Sequence, residues 1–228
     1  MLLENKVTLI TGAGTGLGRA TALKAATEGA HVILVGRRKD KLEEVAQEIR
    51  SNHGIASLYA TDVTNPEEVK QLKQQVLADI GRIDVLVNNA GGTKAYQLLR
   101  DMDYATFQSV MQLNLDSVFL MTSAFVPIMR EQQYGRIVNI TSQMANFYLE
   151  NLGAYSAAKA AMEALIRTYA IEEEQSGILM SLFDPGNLKT EQNPYGEGDP
   201  ATVVDKLIAL AALPTGSANA QTVRASAD

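Results

Sequence analysis

Cysteine is absent from the 228 residues, which excludes disulfides, thiolate nucleophiles and cysteine-ligated metals. Histidine is scarce: His31 and His53 are the only two, one opening a strand-like run and one near the end of a helix-like run. Neither has the partners that a histidine triad or a zinc site requires, so no metal is expected. Positive charge is in deficit. With 20 Lys and Arg against 26 Asp and Glu, the formal net charge is −6, which argues against nucleic acid or an anionic membrane as a partner. Long apolar runs are missing, since the most apolar stretch, 117–129, is too short to span a bilayer and contains Pro127. The N-terminus enters a strand almost at once, without the charged-then-apolar layout of a signal peptide. A cytoplasmic protein is expected. Internal repeats and low-complexity tracts are also absent.

The remaining composition suits a packed core: 46% of residues are hydrophobic and 20% charged. The length fits one domain, 1–228, of the larger kind. Short apolar runs at 7–11, 31–35, 57–59, 85–88, 136–141 and 179–183 read as buried strands. Amphipathic segments at 19–28, 40–53, 66–80, 104–131 and 154–174 separate them and read as helices. Parallel strands need helical crossovers, so this alternation predicts an α/β fold with a doubly wound parallel sheet covered on both faces. Helix starts are marked by Asp40 with Glu43, and by Asn65 with Pro66 and Glu68. Asp199 and Pro200 open a last helix toward Leu213 in the same way. Beyond Pro214 a short C-terminal tail, 214–228, carries one strand at 221–224 and a frayed end at 226–228.

The first apolar run ends in a glycine-rich turn, Thr11-Gly12-Ala13-Gly14-Thr15-Gly16-Leu17-Gly18. A strand, such a turn and a helix together present free N–H groups and the positive end of a helix dipole, which suit a pyrophosphate. This is the phosphate-binding arrangement of a Rossmann-type fold. About twenty residues beyond such a turn, an acid selects NAD and an arginine accommodates the 2′-phosphate of NADP. Here the second strand ends in Gly36-Arg37-Arg38. The expected cofactor is therefore NADP(H) in preference to NAD(H), with Arg37 as the main 2′-phosphate contact and Arg38 as its helper. Asp40 is the rival that would favour NAD.

Tyr155 and Lys159 lie four positions apart, and Ser142 lies thirteen before the tyrosine. On a helix the pair falls on one face. An ammonium there would favour the phenolate of a tyrosine whose ordinary pKa is about 10. A phenol made more acidic in this way can exchange protons near neutral pH.

Taken in order, these residues resemble the single-domain short-chain dehydrogenases/reductases. Thr11-Gly12-x-x-x-Gly16-x-Gly18 is similar to their cofactor turn, Asp62-Val63 to the pair beside the adenine, and Asn88-Asn89-Ala90-Gly91 to their central-strand motif. Asn114 falls at their active-site asparagine, Ser142, Tyr155 and Lys159 at their catalytic residues, and Pro185-Gly186 with Leu188 and Thr190 at the nicotinamide contact. About seven strands are then expected. The resemblance implies that Tyr155 is the general acid in carbonyl reduction and the base in alcohol oxidation, and that Lys159 binds the nicotinamide ribose and lowers the Tyr155 pKa. Ser142 would polarise the substrate oxygen, and the Asn114 region would hold a relay water. Gly92, Thr93, Gln143, Met144, Phe147 and Tyr148 fall near the site by motif position, with Gln143 and Tyr148 as substrate contacts.

Two departures from the family narrow the expectation. The sequence stops soon after its last strand, where relatives often continue into a tail that makes subunit contacts. A homodimer or homotetramer built on the 104–131 and 154–174 helices is still expected. The segment 187–199 is short and polar, a mobile substrate loop that suits a modest carbonyl or alcohol better than a steroid. Two alternatives stay open. One is a 3-oxoacyl-thioester reductase, which needs a cationic patch for which Lys94, Arg100, Arg130 and Arg136 are candidates. The other is an NADP(H)-binding sensor or scaffold without turnover. The run Glu172-Glu173-Glu174 reads as a solvated face.

Overall fold

The computed structural model describes residues 1–93 and 95–225. Lys94 and 226–228 therefore lie outside the described residues. The chain runs β1 (Val7–Thr11), α1 (Gly16–Thr27), β2 (His31–Gly36), α2 (Lys39–Ser51), β3 (Ile55–Ala60), α3 (Pro66–Asp79) and β4 (Val85–Asn88). It continues with α4 (Tyr104–Met111), α5 (Ser117–Gln132), β5 (Gly135–Ile140), α6 (Gly153–Glu172), β6 (Ile178–Asp184), α7 (Val204–Ala211) and β7 (Thr222–Arg224). Seven parallel strands form one sheet in the order β3-β2-β1-β4-β5-β6-β7. The order reverses between β1 and β4, and a crevice opens beyond the carboxyl ends of strands at such a switch point.

Strand residues alternate between the two faces. Ile10, Leu34, Val87, Val138 and Phe183 pack under α1, α2 and α7 with Leu42, Val45, Ile49 and Leu207. Their neighbours Leu9, Ile33, Leu86, Ile137 and Leu182 pack under α3, α5 and α6 with Leu72, Phe125, Met162 and Ile166. Because both faces are covered, each strand reads as an unbroken apolar run. Every fully buried side chain of this size contributes about 1.5–3 kcal/mol.

Asn65 caps α3, with Oδ1 accepting from the backbone N–H of Glu67 and Glu68 at 3.0 and 3.4 Å, and Pro66 opens the helix. Asp40 does not cap α2. The helix starts one residue sooner, with Arg38 in the capping position, and Asp40 lies in the first turn, where a carboxylate still favours the dipole. The last helix is also shorter than expected. Asp199 accepts from Ala201 N–H at 2.9 Å and starts a 3₁₀ turn, and α-helix begins only at Val204. β3 extends past 57–59 at both ends because it pairs along all of β2.

The expected 104–131 helix contains a π turn, Gln112–Asp116, between α4 and α5. Counted as one rod, Tyr104–Gln132 is long and apolar enough to cross a membrane by length and composition. Its Val118, Met121, Phe125 and Met129 are nevertheless buried against the sheet. In the acidic run after α6, Glu173 is not solvated: it is 3% exposed and paired with Arg130.

Candidate active site

The switch point opens into a cleft of about 740 Å³. Gly12, Gly14, Thr15, Gly16 and Leu17 line one end, with Arg37, Arg38, Asp62 and Val63. Ser142, Gln143, Tyr155, Lys159, Pro185, Gly186, Leu188 and Thr190 line the other, and Asn89, Ala90 and Gly91 lie between. Gly18 is the one glycine of the turn that does not line it.

The turn is held from below by β4. Thr11 Oγ1 accepts from the N–H groups of Asn89 and Ala90, each at 2.9 Å, and Asn89 Nδ2 donates to the Thr11 carbonyl at 2.8 Å. Gly12 has φ +65°, and a Cβ there would lie 2.9 Å from Asn89 Nδ2. A Cβ on Gly18 would overlap the Gly12 carbonyl oxygen. Only glycine permits both the left-handed backbone and this close approach. The cradle, with α1 rising from it, fits a dinucleotide pyrophosphate. Asn89 contributes by bracing the turn.

Arg37 is exposed and has no ion-pair or hydrogen-bond partner among the described residues, so its guanidinium is available at the cleft edge. Arg38 is engaged: Nη2 donates to Glu191 Oε2 at 2.7 Å and to Thr15 Oγ1 at 3.3 Å. Glu191 belongs to the 187–199 loop, which is folded on itself. Asn193 Nδ2 donates to Asn187 Oδ1 at 2.8 Å and to the Leu188 carbonyl at 3.0 Å. The Leu188 side chain is buried in the core. Asp62 Oδ1 accepts from the Thr64 N–H and hydroxyl at 3.0 and 2.8 Å, and Val63 is buried beside it.

The π turn sets Asn114 facing the loop after β4. Its Oδ1 accepts from Gly92 N–H at 2.9 Å, and Nδ2 donates to the carbonyls of Gly92 and Val110, both at 3.0 Å. The side chain is fully buried and braces the loop. Such π turns recur at functional sites because they re-aim one residue of a helix.

On α6, Tyr155 and Lys159 face the cleft. Lys159 is 4% exposed, its Nζ donates to the Ile140 carbonyl at 2.7 Å, and it lies 5.7 Å from the Tyr155 ring centre. Burial lowers its pKa to about 8 against the opposing pull of Glu163 and Asp184. Tyr155 departs from the expectation of a more acidic phenol. Burial pushes it up to about 12, a hydrogen bond with Ser142 pulls the other way, and the nearby Asp184 and Tyr96 add to the rise. The phenol is thus held protonated at neutral pH.

Tyr148 is 76% exposed and does not line the cleft; Leu149 and Leu152 do so instead. Gly92, Thr93 and Met144 line it, whereas Phe147 is exposed outside it. Sequence reasoning missed Asp184, Thr141 and Glu191. Asp184 immediately precedes Pro185-Gly186, and its Oδ1 accepts from Gly186 N–H at 3.0 Å. That adjacency was a usable signal, whereas nothing local marked the other two.

A short chain dehydrogenase family model matches residues 6–197. The 3-oxoacyl-(acyl-carrier-protein) reductase FabG of Thermotoga maritima is 37% identical over 190 residues, covering 83% of this chain and 77% of that protein. A 3-oxoacyl-(acyl-carrier-protein) reductase of Synechocystis sp. is 38% identical over 199 residues, covering 87% and 80%. Among solved structures, a metagenomic short-chain oxidoreductase in complex with NADP superposes with a TM-score of 0.89 at 32% identity, covering 98% of this chain and 99% of that one. The chain belongs to the short-chain dehydrogenase family, oxidoreductases that bind a nicotinamide cofactor.

Proposed function

We propose that this protein is an NADP(H)-dependent carbonyl reductase that acts in the cytoplasm on a ketone or aldehyde, with the alcohol as product. The observation that carries the reading is the convergence of Ser142, Tyr155 and Lys159 in the cleft that begins at the glycine turn. The nicotinamide, when bound, supplies the hydride. Tyr155 gives its proton to the oxygen that becomes an alkoxide, and Ser142 donates a hydrogen bond to the same oxygen. Lys159, beside the phenol, steadies the phenolate left behind. The protonated phenol is the form that donates in reduction. The free Arg37 supports the NADP preference, with Arg38 as helper. Asn114 acts as a brace, and Gln143 is the substrate contact that the geometry favours over Tyr148. The exposed Tyr104, Phe119 and Ile171 on α4, α5 and α6 support a homodimer or homotetramer.

The two bacterial 3-oxoacyl-(acyl-carrier-protein) reductases that the chain is similar to support a second reading, reduction of a 3-oxoacyl thioester. Among the described residues the expected cationic patch does not assemble, however. Arg136 is 1% exposed and donates to the carbonyls of Leu213, Gly135 and Gly177, and Arg130 is committed to Glu173. Arg100 is exposed, and Lys94 lies outside the described residues.

The test is NADPH oxidation against a panel of ketones, aldehydes and 3-oxoacyl thioesters, with Tyr155→Phe alongside. The variant should slow turnover by at least ~10²-fold. Turnover within a few-fold of the parent would remove Tyr155 from the chemistry. NADPH binding with no turnover of any panel member would favour the sensor.

A further inference from the structure

Three successive residues, the last of β5 and the two that follow it, hold three successive turns of α6. Ser142 bears on Tyr155, the Ile140 carbonyl accepts from Lys159 at 2.7 Å, and Thr141 Oγ1 donates to Glu163 Oε1 at 2.7 Å. Tyr155, Lys159, Glu163 and Arg167 recur at four-residue spacing and so share one helix face. The third contact has no part in the chemistry, yet it is costly. Glu163 is 7% exposed, on a helix whose Met162 and Ile166 fill the core. A buried carboxylate is expensive unless hydrogen-bonded, and an apolar residue would pack there more cheaply. Its other partner, Arg167 at 3.1 Å, is half-exposed and also donates to the Ala220 carbonyl and Thr222 Oγ1, each at 3.0 Å, at the β7 edge.

We propose that Glu163, pinned by Thr141, is a positioning residue that sets the register of α6 on β5 and keeps the Lys159 ammonium beside Tyr155. The inference rests on the reading of Tyr155 as proton donor. A slip of α6 along β5 would carry Tyr155 from Ser142 and Lys159 from Ile140 together, since all three contacts lie on one rigid helix. Charge acts in the same direction. The groups that face Lys159 are Tyr155 and Glu163 on α6, with Arg167 behind Glu163, and Asp184 at the end of β6. From β5 the neutral Ile140 carbonyl accepts from Nζ, and in the loop after β4 a Cβ on Gly91 would lie 3.4 Å from Nζ.

The test pairs Thr141→Val, which keeps shape and loses the hydroxyl, with Thr141→Ser, which keeps the hydroxyl. Two readouts are used. In cofactor-free protein with ¹³C-labelled lysine, the Lys159 titration is followed by NMR. It should move to lower pH in Thr141→Val and in Glu163→Gln, and return in Thr141→Ser. With NADPH and ethyl 3-oxobutanoate, Thr141→Val should lose about tenfold in kcat with KM little changed, and Thr141→Ser should recover most of it. An unmoved Lys159 titration in both Thr141→Val and Glu163→Gln would overturn the proposal, as would equal slowing by valine and serine. Undiminished activity of Tyr155→Phe would instead defeat the reading of Tyr155, independently of the lysine titration.

Discussion

Replacing Lys159 by Met removes an ammonium that the fold buries, while keeping most of the apolar stem. The Lys159 pKa falls from 10.5 to about 8 on folding, a gap that corresponds to about 3 kcal/mol. Because the folded value is depressed, the unfolded chain binds the extra proton between pH 8 and 10.5, and parental stability rises with pH across that window. The contribution is fully recovered above the unfolded value and fully lost once pH falls below the folded one. Relative to Lys159→Met, the parent should therefore gain about 2 kcal/mol between pH 7 and pH 9.5. At neutral pH the variant gains the desolvation cost but leaves the Ile140 carbonyl without its donor, an offset of about 1–3 kcal/mol. The change with pH is thus the cleaner measure. Urea unfolding of both proteins at half-unit steps of pH reads it directly, with the other titrating groups cancelling in the difference. Parallel stability profiles would refute the claim that burial depresses the Lys159 pKa.

Three further outcomes are expected. Arg37→Ala should weaken NADPH binding much more than NADH binding in fluorescence titrations, and an equal loss for both cofactors would sink the assignment. Glu191→Gln should tighten NADPH a few-fold by releasing Arg38, with NADH unaffected; the effect is small because the pair is half-exposed. Asn65→Ala should lower stability by about 1 kcal/mol in thermal unfolding, since two backbone donors at the start of α3 lose their acceptor.

The sequence by itself determined the alternation of strands and helices, the glycine turn and the order of the motifs, because each rests on local pattern. Strands buried on both faces are unbroken apolar runs, a cap such as Asn65 acts within one turn, and Tyr155 and Lys159 share a helix face by spacing alone. Tertiary structure decided what depends on distant partners. The adjacency of β1 and β4 gives Asn89 its place under the glycine turn. Arg136 looked like a surface cation, but its guanidinium lies inside, among carbonyls contributed by distant segments. Burial also reversed the expected direction at Tyr155, because desolvation of the phenol outweighs its hydrogen bond with Ser142. Glu163 reads in the sequence as an ordinary helix glutamate. Only the packing of α6 on β5 brings Thr141 within 2.7 Å of it, because hydrogen bonds and low dielectric are set by neighbours that no local window contains.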